Sequence, residues 1–192
     1  MRRNHRTVLP LLLLLGCSDP PTPRPRGWFR IDLPPQEYIA QTTAAPFTAE
    51  LPAYARLAAR QQNEHVRWFD LRFAKQRATV HLTWTPVQGN LPQLIEDAHG
   101  FKAKHEALAA KIGRERVLRE EDRVFGTLFD VEGDVASPMV FYLTDSTANF
   151  LYGALYFDTR PNADSLAPVT ERLREDVRHM AATLKWREAD DL

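Results

Sequence analysis

The 192-residue chain has one cysteine, Cys17, so no disulfide can form within it and the fold must rest on packing and hydrogen bonds. Its eight glycines fall into no G-x-G-x-x-G or Gly-Lys-Ser/Thr pattern, which excludes the common backbone cradles for nucleotide phosphates. G-x-S-x-G and H-E-x-x-H are missing as well, so neither a nucleophile elbow nor a helical zinc pair is present. An excess of one charge is lacking: 25 Lys and Arg stand against 25 Asp and Glu, which argues against a polyanion-binding protein. The apolar stretch over 8–15 is too short to cross a bilayer, because a spanning helix needs about 20 residues.

What the sequence does contain starts at that stretch. Arg2, Arg3 and Arg6 precede it and Gly16 follows it, the layout of a secretory signal over 1–16. Leu14-Leu15-Gly16-Cys17 resembles the bacterial lipobox. That resemblance implies a diacylglycerol on the Cys17 sulfur, cleavage before Cys17, and attachment by fatty chains such as palmitate. Two or more chains, at about 0.8 kcal/mol per buried methylene, make a lasting anchor where one would be marginal. Loss of 1–16 removes three arginines and no acid, leaving 22 basic against 25 acidic residues. The next residues, "SDPPTPRPRG", favour extended polyproline II, so 17–26 reads as a lipidated cysteine and stalk. At about 3.1 Å per residue the stalk reaches up to ~30 Å from the lipid.

A single globular domain is expected over 27–188. "GWFRIDLPPQEY" reads as a short opening strand, and 36–62 as irregular chain with a helical turn near 53–60. Phe69, Leu71 and Phe73 alternate in one strand and Val80, Leu82 and Trp84 in the next, with "AKQR" as the turn. Leu94, Ala98, Phe101, His105, Leu108 and Ile112 recur at helical spacing behind a cap at Asn90. Strands follow over 123–131, 138–144 and 151–158, joined through "EGD" and "DSTAN". A last helix, capped by Asp164 or Ser165, carries Leu166, Val169, Leu173, Val177, Met180 and Leu184 on one stripe, with Trp186 covering a sheet edge or forming a final strand. The order β-β-β-α-β-β-β-α predicts an α+β fold, a mostly antiparallel sheet packed with two long amphipathic helices. By element order it is a sandwich of the kind seen in PsbP-like domains.

Residues able to do chemistry are scattered. Glu96 with His99 and Asp176 with His179 have the acid-x-x-His spacing of helical di-iron ligands, but only two long helices are visible, and solvated charge pairs explain both. No metal site and no cofactor are expected. His105 falls on an apolar stripe and reads as a hydrogen-bonded boundary residue. His65 and His81 sit on or near strands without visible company. Asp145, Ser146 and Thr147 in "LTDSTANF" and Arg160, Asn162 and Asp164 in "RPNADS" suit turns and caps. As loop residues, Asp145, Ser146, Arg160 and Asn162 are also the candidates for contact with a partner.

"PRGWFRIDLP", "NLPQLIEDA", "ASPMVFYLTDSTANFLYGALYF" and "RPNADSLAPVTERLREDVRHM" fall in order between 24 and 186 and resemble the GldD gliding-motility lipoprotein family of the Bacteroidetes. The resemblance implies a lipid-anchored, non-enzymatic scaffold or assembly component of the cell envelope. It would face the periplasm and be required for gliding and associated with type IX secretion machinery. Its expected partners are the membrane, through the anchor, and other gliding or secretion envelope proteins, with no nucleic acid and no small-molecule ligand. The competing readings are an envelope hydrolase using Ser146 or His105 and a lipoprotein with an apolar ligand pocket.

Overall fold

The structure, a computed structural model, describes residues 33–41, 44–63, 65–106 and 109–187. The signal peptide, Cys17, the stalk and the expected opening strand around Trp28 lie outside the described residues. Four strands come first: β1 (Tyr38–Ala40), β2 (Phe47–Thr48), β3 (Glu50–Pro52) and β4 (Arg56–Gln62). Then follow β5 (Arg67–Phe73), β6 (Ala78–Pro86), α1 (Leu91–Glu106), β7 (Lys111–Arg119), β8 (Val124–Glu132), β9 (Met139–Thr144) and β10 (Asn149–Phe157). The chain closes with α2 (Ala163–Thr183) and β11 (Lys185–Trp186).

Seven strands form one sheet in the order β4-β5-β6-β10-β9-β8-β7, and every neighbouring pair is antiparallel. Two small antiparallel pairs, β1 with β3 and β2 with β11, complete the strands, so Trp186 does form a final strand. The fold is α+β, a large antiparallel sheet with two helices.

The period-two pattern divides the sheet into two faces. Leu71, Phe73, Val80, Leu82, Phe141, Leu143, Leu151 and Leu155 join Val169, Leu173, Val177 and Met180 of α2 in the main core. The alternate residues Phe129, Val140 and Ala154 form a small cluster on the opposite face, flanked by Tyr142, Tyr152 and Tyr156. There α1 lies against β9 and β10, with the His99 ring 5.5 Å from that of Phe129. Gly153 is required between the layers, because a Cβ there would meet the Phe141 ring at 2.1 Å.

Three expectations need correction. The segment 36–62, expected to be irregular with a helical turn near 53–60, carries strands β1, β2 and β3 and the edge strand β4, in which Leu57 packs on the core and Arg56 and Ala58 are exposed. The first helix ends at Glu106, and Ile112 belongs to β7, an edge strand the hydrophobic pattern did not reveal. The cap of α2 is Asn162, extended at φ −155°, whose side chain accepts from the Ser165 N–H. Asp164 and Ser165 sit inside the first turn.

Candidate functional site

At the end of the sheet where β6 finishes and β10 begins, four separate segments enclose a cleft of about 550 Å³. Its walls include Trp84, the β7–β8 turn with Glu121 and Arg123, the β9–β10 loop with Asp145 and Thr147, and Trp186. The loop is built around Asp145. One carboxylate oxygen accepts from the backbone N–H groups of Thr147 and Ala148 (2.9 and 2.8 Å) and of Asn149 (2.8 Å), and the other accepts from Asn149 Nδ2. Burial works to raise the Asp145 pKa, but these donors together hold it below the usual carboxylate range.

From this knot the hydrogen bonds run outward to the walls. Asn149 Oδ1 accepts from the Trp84 indole N–H at 2.9 Å. Arg123 Nη2 donates to Thr147 Oγ1 at 2.8 Å and to the Asp145 carbonyl at 3.4 Å, and the Arg123 carbonyl accepts from the Trp186 indole at 3.2 Å. Both indoles pack on the main core, so their planes are fixed by packing and by hydrogen bonds. Arg123 and Ser146 hold positive φ, 52° and 69°, a costly conformation for a residue with a side chain. Asp122 is neutralised by Arg119 and Lys185.

Two other polar clusters belong to the fold. Asp176, fully buried on α2, accepts from the hydroxyls of Tyr38 (2.9 Å) and Tyr54, which ties the β1 strand and the 53–55 turn to the helix. Burial outweighs these bonds and raises the Asp176 carboxyl, while burial and Asp176 together push Tyr38 up to about 12. His179 stacks on Tyr38 at 3.6 Å and bonds Glu50, so the Asp176–His179 spacing serves packing and not a solvated pair. Beside it Asp130 faces Arg174 and Arg178, with Glu115 and Glu171 around them.

On the opposite sheet face Asp70 and His81 sit directly across from each other, 2.8 Å apart, and Asp70 also holds Arg72. This has the form of a base and its orienting acid, but His81 has no hydroxyl or thiol hydrogen-bonded to it among the described residues. Ser146 lies beyond the end of β9, and His81 is five residues from the matching end of β6, about 16 Å along the strand. The His105 side chain lies outside the described residues. Among the described residues no group of three or more His, Cys, Asp or Glu is placed to hold a metal ion, and no helix is long and apolar enough to cross a membrane.

A family profile described as Gliding motility lipoprotein GldD matches residues 18–186. The chain belongs to the GldD family. No curated protein matched it in a sequence comparison.

The four loop candidates of this GldD-family chain do not form one patch. Asp145 and Ser146 line or flank the cleft at one end of β10, whereas Arg160 and Asn162 follow its other end, about 27 Å away along the strand. Asn162 caps α2, and Arg160 is exposed, without a hydrogen bond or ion pair among the described residues. Sequence reasoning missed Trp84, Glu121, Arg123, Asn149 and Trp186 as a group. Trp84 reads as an ordinary inward strand residue, and no spacing rule joins segments separated by 20 residues or more. The one available signal was the loop itself, with an Asp four residues ahead of an Asn.

Proposed function

We propose that this protein is a lipid-anchored, non-enzymatic component of the cell envelope that serves gliding motility as a scaffold or assembly factor, together with type IX secretion machinery. The observation that carries the reading is the family match, which starts one residue after Cys17 and runs to Trp186. A signal peptide cleaved just before an acylated Cys17 fits that boundary, because the matched segment then falls within the mature protein. The anchor and stalk confine the domain to within ~30 Å of a membrane, where weak contacts gain from high local concentration. Facing the periplasm, its loops at both sheet ends, with Asp145 and Ser146 at one and Arg160 and Asn162 at the other, present surfaces to other envelope proteins. The PsbP-like sandwich belongs to this reading, on element order alone. A scaffold role is favoured over hydrolysis because Asp145 is committed to its own loop and the Asp70–His81 pair has no nucleophile hydrogen-bonded to it among the described residues.

The decisive experiment is mass spectrometry of the mature N-terminus combined with a motility assay. A diacylglyceryl-modified Cys17 at the N-terminus is expected, with loss of spreading in a deletion strain and mislocalised product from Cys17→Ala. An unmodified Cys17, or cleavage elsewhere, would refute the anchor; normal spreading of the deletion strain would refute the motility role.

A further inference from the structure

We infer that the cleft between Trp84, Arg123, Asn149 and Trp186 binds a neutral glycan. The inference does not depend on acylation of Cys17 or on a role in motility. A pyranose ring offers apolar C–H faces and a rim of hydroxyls that both donate and accept hydrogen bonds. Its natural counterpart is a rigid aromatic plane beside planar polar side chains that supply donors and acceptors together.

The cleft has these features. Trp84 and Trp186 line it, and their indole N–H groups are already used, on Asn149 Oδ1 and the Arg123 carbonyl, so what remains for a ligand is aromatic surface held in position. A volume of about 550 Å³ lies within the range of small-ligand sites, roughly 300–1,000 Å³.

Charge decides the class of ligand. Of the charged groups lining the cleft, Asp145 is saturated by four donors, Asp122 is paired with Arg119 and Lys185, and Arg187 has an interaction of its own. Glu121 has no ion pair or hydrogen bond among the described residues, and Arg123 bonds only through Nη2, leaving Nε and Nη1 as donors. An anion drawn to Arg123 meets Glu121, two positions away in the same turn; a cation drawn to Glu121 meets Arg123. A hydroxyl group accepts from the guanidinium and donates to the carboxylate, so an uncharged polyol satisfies both at once. Positive φ at Arg123 and Ser146, one on each flanking loop, keeps this geometry at a conformational cost that the loop hydrogen bonds offset.

The test uses the full-length chain in a detergent without a sugar headgroup. Chitotetraose, cellotetraose and maltotetraose serve as neutral probes and tetragalacturonate as the anionic one, with calorimetry and tryptophan emission as readouts. At least one neutral tetrasaccharide is expected to bind and shift the emission, with tetragalacturonate roughly tenfold weaker. Trp186→Ala is expected to weaken binding roughly tenfold, and Glu121→Ala and Arg123→Gln roughly threefold each. Glu121 is exposed and takes no part in the fold, so its variant remains informative if Trp186→Ala fails to fold. No binding of the three neutral probes at about 10 mM, tighter binding of tetragalacturonate, or affinity unchanged in both Glu121→Ala and Arg123→Gln would overturn the assignment.

Discussion

Against α2 the sheet buries Leu71, Phe73, Val80, Leu82, Met139, Phe141, Leu143, Leu151 and Leu155, whereas against α1 the buried cluster is Phe129, Val140 and Ala154. The same strands supply both faces, alternating residue by residue, so the contrast comes from the helices. Four residues of α2, Leu173, Val177, Met180 and Asp176, are completely buried. Of the side chains described on α1, over 91–100, only Ala98 is buried. Hydrophobic stabilisation follows apolar area removed from water, at about 25 cal/mol per Å². Most of the fold's stability therefore lies in the α2 layer, which leaves the opposite face and the strand ends free to carry half-exposed Tyr, His, Trp and Arg.

The most severe way to break this asymmetry is to cut equal side chains from the two helices. Leu173→Ala removes a fully buried group between α2 and the sheet and is expected to cost about 2–5 kcal/mol in urea unfolding. Leu94→Ala, on the half-buried face of α1, should cost about 1 kcal/mol or less. Equal losses would show that the α1 layer is as tightly packed as its counterpart.

Next in size is the polar tie within the α2 layer. Asp176→Ala orphans the hydroxyls of Tyr38 and Tyr54 and should cost about 2–3 kcal/mol. Its pH dependence has a definite sign. The folded carboxyl lies above its usual value, so the linked stability is complete below the unfolded pKa and is lost as pH rises through the folded one. The gap between wild type and Asp176→Ala should narrow as pH is raised from acid toward neutrality, measured by unfolding across that range. A gap that widens would mean that Asp176 is charged in the folded state.

How far the sequence foretold this depends on how much each element buries. The α2 stripe was legible because Val169, Leu173, Val177, Met180 and Leu184 all reach the core, whereas the burial of Asp176 was not, because its spacing to His179 reads as a solvated pair even though it falls between Leu173 and Val177 on the same side. The strands β5 and β6 were legible from alternation, and β8, β9 and β10 from the turn segments "EGD" and "DSTAN" that separate them. The edge strand β7, "KIGRERVLR", was not: Arg114 lies over the Phe129 ring, Glu115 reaches Arg178 on the other face, and Leu118 is 63% exposed, so neither face looks apolar. Charged residues on edge strands limit unwanted pairing and at the same time erase the hydrophobic signal. The cleft was illegible for another reason, because register places Trp84 opposite Leu151, and only the sheet order brings the turn at 121–123 beside the loop at 145–148.

The loop aspartate supplies the reverse of Asp176. Asp145→Asn keeps the shape but weakens the four bonds that close the β9–β10 loop, with an expected cost of about 1–2 kcal/mol at neutral pH. Here the folded pKa is depressed, so the contribution is present above the unfolded value and lost as pH falls through the folded one. The difference from wild type should therefore shrink in acid, opposite to Asp176→Ala over the same titration. Two aspartates with the same trend would remove the distinction drawn between a buried tie and a loop anchor.

The smallest effect is expected at Ser146, which holds φ 69° next to that anchor. A residue with a Cβ pays about 1–2 kcal/mol for the left-handed region, while glycine loses roughly 0.5–1 kcal/mol more backbone entropy on folding. The two partly cancel, so Ser146→Gly should stabilise by about 1 kcal/mol or less. Its backbone N–H to Thr144 Oγ1, at 3.0 Å, is untouched by the substitution. The informative readout is the loop and not the global unfolding curve: hydrogen exchange at Thr147 and Ala148, whose N–H groups bond Asp145, should stay as protected as in wild type. Faster exchange there with unchanged global stability would show that the Ser146 side chain, and not the Asp145 carboxylate alone, holds the cleft wall in place.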